Sequence, residues 1–78
     1  MPTILVVGDY RFFFYSSDVS EPMHVHVRSG EAVAKFWINP ARVQSSKGYN
    51  EHDLRAILKL VQKNADLFER KWHGYFGS

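Results

Sequence analysis

Between Met23 and Ile38 the chain alternates apolar and polar residues on either side of a Ser29-Gly30 turn signal. This double alternation constrains the fold more than any other feature of the sequence. Successive side chains of a strand point to opposite faces, so Met23, Val25 and Val27 share one face, as do Ala32, Ala34 and Phe36 on the following strand. A two-residue turn at Ser29-Gly30 pairs Met23 with Phe36, Val25 with Ala34 and Val27 with Ala32. The other side pairs His24 with Lys35, His26 with Val33 and Arg28 with Glu31. Two strands therefore agree on which face meets a core.

The preceding segment reads as another hairpin. Residues 3–7 are β-branched and apolar, Gly8-Asp9 is a two-residue turn with glycine first, and residues 10–15 are mostly aromatic. Val7 then faces Tyr10, Leu5 faces Phe12 and Thr3 faces Phe14, with Val6 against Arg11 and Ile4 against Phe13 on the reverse. Both faces come out largely apolar, which points to a homodimer, to a standing partner, or to the rest of the chain wrapping the second face. Residues 16–21 read as a polar loop and Pro22 opens the next strand. Asn39-Pro40 ends the sheet, and the stretch up to residue 50 reads as an irregular connection.

Asn50 is placed to cap a helix, with Asp53 at N3 as an imperfect capping box and Tyr49 set to staple onto Leu54. Leu54, Ile57, Leu58, Val61, Ala65, Phe68, Trp72, Tyr75 and Phe76 recur at spacings of three and four, which predicts one helix from about Glu51 to about Tyr75. Gly74 or Gly77 would stop it. The expected architecture is α+β: a four-stranded antiparallel sheet from two β-hairpins, with one long C-terminal helix packed on the face of Met23, Val25, Val27, Ala32, Ala34 and Phe36. One domain is expected over residues 1–78, divided into a β-rich part (1–40), a connection (41–50) and the helix (51–76).

Size limits the range of functions. A chain of 78 residues holds one small domain and excludes nucleotide-binding sheets and barrels. Six Phe, four Tyr and two Trp supply the dense core that so short a chain needs. Without cysteine, neither disulfides nor thiolate zinc can add stability. The net charge is only +2, and five bases stand against four acids both in residues 1–50 and in residues 51–78, so no basic tail announces nucleic acid. No apolar run approaches the roughly 20 residues of a membrane span, and the first residues lack the pattern of a signal peptide. A cytoplasmic protein without membrane contact is expected.

The chemically informative stretch is Glu21-Pro22-Met23-His24-Val25-His26-Val27. Two histidines one residue apart on a strand point the same way, about 6–7 Å from each other along the chain. Three readings follow. In one, His24 and His26 are general acid and base of a metal-independent phosphodiester site, with Lys35 steadying the phosphorane. Arg28 and Arg42 would hold flanking phosphates of an RNA substrate, Tyr15 or Trp37 would stack a base, and no cofactor is needed. In a second, His24 and His26 ligate a metal, but the motif is half a site, and Asp18, Glu21, His52 and His73 are the available additions without a fixed offset. In the third the face is simply a solvated or partner-facing surface.

Taken in order, Met1-Pro2-Thr3-Ile4, Tyr10-Arg11-Phe12-Phe13-Phe14-Tyr15-Ser16, the Glu21 to Val27 stretch and Ala34-Lys35-Phe36-Trp37-Ile38-Asn39-Pro40 resemble a bacterial family of short proteins, domain of unknown function 4160. The family carries a second Pro where Met23 stands in this chain. The resemblance implies a genetic setting: its members are typically encoded beside a second small protein, of the domain of unknown function 2442 family, in pairs read as type II toxin–antitoxin modules. This chain would be the toxin and the second protein its cognate antitoxin. A competing expectation is a non-catalytic binding or regulatory module that dimerises or holds a partner through the apolar first hairpin.

Overall fold

The computed structural model describes residues 2–77. Five strands lie in sequence order in one antiparallel sheet: β1 (Thr3–Val7), β2 (Tyr10–Phe13), β3 (His24–Ser29), β4 (Ala32–Ile38) and β5 (Ala41–Lys47). A 3-10 turn, Ser16–Ser20, joins β2 to β3, and two helices follow the sheet, α1 (Glu51–Lys63) and α2 (Ala65–Phe76). The α+β class and the helical cover on one sheet face are as expected. The strand count, details of both hairpin registers and the continuity of the helix differ.

The fifth strand replaces the irregular connection expected after Asn39-Pro40. That dipeptide is a tight turn with a cis peptide bond, and it sets Ile38 opposite Ala41. Every residue of β5 after Ala41 is exposed, so the apolar alternation that reveals a half-buried strand is missing from its sequence. A charged and polar composition suits an edge strand, where it discourages pairing with another chain.

The β3–β4 register is displaced by two residues. Val25 pairs with Phe36, Val27 with Ala34 and Ser29 with Ala32, which makes Gly30-Glu31 the turn instead of Ser29-Gly30. Both hairpins thus carry glycine first and an acid second, with Gly8 at φ 57° and Gly30 at φ 59°, backbone that an L side chain resists. A two-residue slip preserves the faces, so the core assignment holds: Val25, Val27 and Phe36 have no exposed surface and Ala34 is 4% exposed. It does change partners: Lys35 lies opposite His26, and His24 lies opposite Trp37. In the first hairpin Val7, Val6 and Leu5 meet Tyr10, Arg11 and Phe12 as expected, but an irregularity between Thr3 and Leu5 brings Thr3 opposite Phe13 instead of Phe14.

The long helix is interrupted at Asn64, whose φ of −108° and ψ of 17° leave the helical region. The Asn64 amide keeps its helical bond to the carbonyl of Leu60, and its Nδ2 donates to the same oxygen, a local side-chain bond at the point where the helix breaks. The apolar stripe runs through the break: Ile57 and Val61 before it, Phe68 and Trp72 after it, are all buried. Rings join helix to sheet, with Phe12 and Phe68 centroids 5.3 Å apart and Phe14 edge-on to Trp72 at 5.2 Å. At the start of α1 the Asp53 amide donates to Asn50 Oδ1 at 2.7 Å, the expected cap. At the end of α2 Gly77 adopts φ 77° and its amide donates to the His73 carbonyl.

Gly48 joins β5 to α1 at φ 93°, and a Cβ built there would sit 3.0 Å from Ala32 Cα. Gly48→Ala is expected to cost about 1–3 kcal/mol, since left-handed backbone and a backbone clash act together. A urea midpoint equal to that of the parent would show that this corner is not held against β4.

Candidate functional site

One face of the sheet is covered by the helices and the other is open, and the register sorts the charges between them. Arg11, Arg28, Val33 and Lys47 are successive cross-strand partners and form one row across β2 to β5. Phe13, His26, Lys35 and Ser45 form the next row, and His24, Trp37 and Arg42 the third. The residues between them, Phe12, Val25, Val27, Ala34 and Phe36, are buried against the helices, and within the rows themselves Phe13 and His24 are buried as well. All five cations of residues 1–50 therefore stand on the open face. Among the described residues only Lys35 of these five is in an ion pair, with Glu21. Lys35 Nζ also lies 5.1 Å from the Trp37 ring centroid.

The 3-10 turn arches over one end of this face and delivers Asp18. The carboxylate is only 8% exposed, and its Oδ2 accepts the Tyr15 amide at 2.8 Å. His24 Nε2 lies 3.0 Å from Asp18 Oδ1, and His26 Nε2 lies 3.2 Å from the same carboxylate. His24 Nδ1 is 2.8 Å from the Pro22 carbonyl, which can only accept, so Nδ1 carries a proton. Burial alone would raise the Asp18 carboxyl, but the Tyr15 amide and both imidazoles outweigh it and hold the group below its ordinary value. Burial lowers His26, against the raising effect of Asp18, so its ring is mostly neutral at pH 7.

Aromatic rings complete the cluster. Phe13 stacks on His26 at 5.6 Å and Tyr15 meets it edge-on at 4.5 Å, while His24 is enclosed by His26, Trp37 and Trp72 at 5.1, 5.8 and 5.4 Å. His24 is consequently 1% exposed, whereas the His26 side chain keeps 17% of its surface. Of the sequence-derived site residues, Tyr15, His26, Arg28 and Lys35 line one recess of about 360 Å³, together with Ser45, Ser46 and Lys47. Trp37 and Arg42 border a neighbouring recess against Pro22 and Pro40. His24 has one ring nitrogen on Pro22 and the other on Asp18, which leaves no nitrogen facing solvent.

Two participants, Arg11 and Lys47, escaped the sequence, and a third, Asp18, stood there only as one of four possible additions to the histidine pair. Asp18 had no fixed offset from the histidines, and only the 3-10 turn brings it to them. Arg11 carried a faint signal, since it alternates with core-packed Tyr10 and Phe12, while Lys47 carried none, because β5 is exposed after Ala41, and their row exists only once five strands are in register. The second apolar face of the first hairpin is covered within the chain: Phe13 is 2% exposed, under Tyr15, His26 and the Arg11 guanidinium at 5.2 Å, and Val6 alone on that side stays 59% exposed.

Fold and site together define an α+β protein with an open cationic sheet face and a buried carboxylate–imidazole cluster at its end. The chain belongs to the family described as a domain of unknown function (DUF4160), which it matches over residues 9–73. None of the curated proteins and none of the solved structures matches it. No helix among the described residues is long and apolar enough to cross a membrane.

Proposed function

We propose that this chain is the toxin of a type II toxin–antitoxin module and that it acts on RNA held across the open face of its sheet, with His26 at the phosphodiester. The toxin part is supported by the family resemblance, whose members are paired with a second small protein. The RNA part rests on one observation, the placement of Arg11, Arg28, Lys35, Arg42 and Lys47 on a single face that carries Trp37 in one of its rows, with Tyr15 lining the recess beside Arg28, Lys35 and Lys47. Cations follow a phosphate backbone and exposed rings stack bases, which suits a single strand better than a duplex. His26, the outer member of the Asp18–His24–His26 cluster, lines the recess where Lys35 and Lys47 would hold a phosphate. In the competing reading, a non-catalytic module assembled through its first hairpin, the main apolar anchor of that hairpin, Phe13, is already covered.

The test is induced expression of the parent and of His26→Ala and Lys35→Ala at matched soluble levels, with growth and total RNA followed together. Arrest with RNA breakdown in the parent and at least a tenfold slower breakdown in both variants is the expected result. Arrest by all three without RNA loss would overturn the RNA reading, and growth unaffected by the parent would overturn the toxin reading.

A further inference from the structure

We infer that Asp18, His24 and His26 form a binding site for one divalent transition-metal ion. The argument starts from placement. His24 Nδ1 donates to the Pro22 carbonyl at 2.8 Å, which turns Nε2 to the Asp18 carboxylate, 3.0 Å from Oδ1. His26 Nε2 lies 3.2 Å from the same carboxylate. Two imidazoles and one carboxylate, brought from a turn and a strand, therefore converge at one end of the sheet. A metal ion there engages all three side chains at once.

The surroundings are those of a ligand set. The three donor atoms lie within 4.8 Å of one another, so a small swing of one imidazole brings them to the bond lengths of about 2.0–2.2 Å that nitrogen and carboxylate ligands adopt. The ring nitrogen of His24 opposite the donor atom is fixed by a backbone carbonyl, and the carboxylate is fixed by the Tyr15 amide, the outer contacts that orient metal ligands. Two imidazoles and one carboxylate suit zinc, cobalt, nickel, iron or manganese over magnesium or calcium, which take oxygen. Three protein ligands leave coordination positions open, and His26 borders the recess of Lys35 and Lys47. A metal there would polarise a phosphoryl oxygen or lower the pKa of a bound water. The metal site stands on the geometry of the cluster and is independent of the RNA reading.

The experiment uses full-length protein purified without a histidine tag, stripped with chelator, and titrated with Co(II) by visible absorption and with Zn(II) by calorimetry. One equivalent should bind, with cobalt bands of nitrogen and oxygen ligation. Affinity should fall at least about tenfold in Asp18→Asn and in His26→Ala, and the metal should raise the thermal midpoint of the parent only. Both variants are checked for folding by circular dichroism, and Asp18→Asn keeps the shape of the side chain. No stoichiometric binding by folded parent would overturn the site. So would undiminished binding by the variants, which would place the ion at His52 or His73, or imidazole NMR signals of His24 and His26 that added metal leaves unchanged. RNA affinity measured on the stripped protein separates this outcome from failure of the RNA reading.

Discussion

Reversing three charges on the open face, Arg28→Glu, Arg42→Glu and Lys47→Glu, is expected to weaken binding of a short single-stranded RNA by about 100-fold, at roughly 1 kcal/mol per exposed phosphate contact. All three side chains are exposed and lack ion pairs among the described residues, so folding should change by less than about 0.5 kcal/mol per substitution. The salt dependence is the sharper readout: each phosphate contact contributes about −0.7 to the slope of log K against log salt for a single strand, so the variant should lose about 2 from that slope. Because the substitutions also move the net charge from +2 to −4 (three reversals of two units each), the control is Arg55→Glu, Lys59→Glu, Lys63→Glu, the same change on exposed positions of α1. Equal loss in the helix variant would show a diffuse electrostatic effect and remove the face from consideration.

Phe68→Ala is expected to have the largest effect on stability, a loss of about 3–5 kcal/mol from lost burial and the cavity left behind. Phe68 has no exposed surface, and its ring meets Phe12 of β2 at 5.3 Å, which makes it a main tie between α2 and the sheet. A domain of this length has about 4–12 kcal/mol of total stability, so the variant should be partly unfolded at 37 °C. Trp72, which packs on both Phe14 and His24, belongs to the same helix, and loosening α2 should therefore disturb the histidine cluster as well. Urea unfolding gives the check. A change below about 1 kcal/mol would mean that the helix is held elsewhere or that the site collapses around the smaller side chain.

The helical stripe shows how far pattern carries. Ile57, Val61, Phe68 and Trp72 could be named as core from spacing alone, because a helix repeats its faces every three to four residues whether or not it is broken once. The break itself was not legible, since Asn64 occupies a polar position and its bond to Leu60 exists only in the folded geometry. The displaced hairpin makes the same point for strands. Alternation cannot distinguish registers two residues apart, and only the position of Gly30 within its turn decides between them. That distinction moved Lys35 from His24 to His26, and so from a buried ring to one that borders a recess.

The sequence by itself determined which residues face the core, where the first hairpin turns, where α1 is capped and which face carries His24 and His26. These are local properties, set by side-chain periodicity, glycine backbone freedom and capping chemistry within a few residues. Only the tertiary structure decided that β5 completes the sheet, that five cations share its open face, and that Asp18 closes on two histidines. Those facts depend on pairings between segments far apart along the chain, where no local pattern constrains which polar side chain meets which. An exposed strand buries too little apolar surface to announce itself, and a carboxylate in a turn shows its partner only when the turn is folded over the sheet.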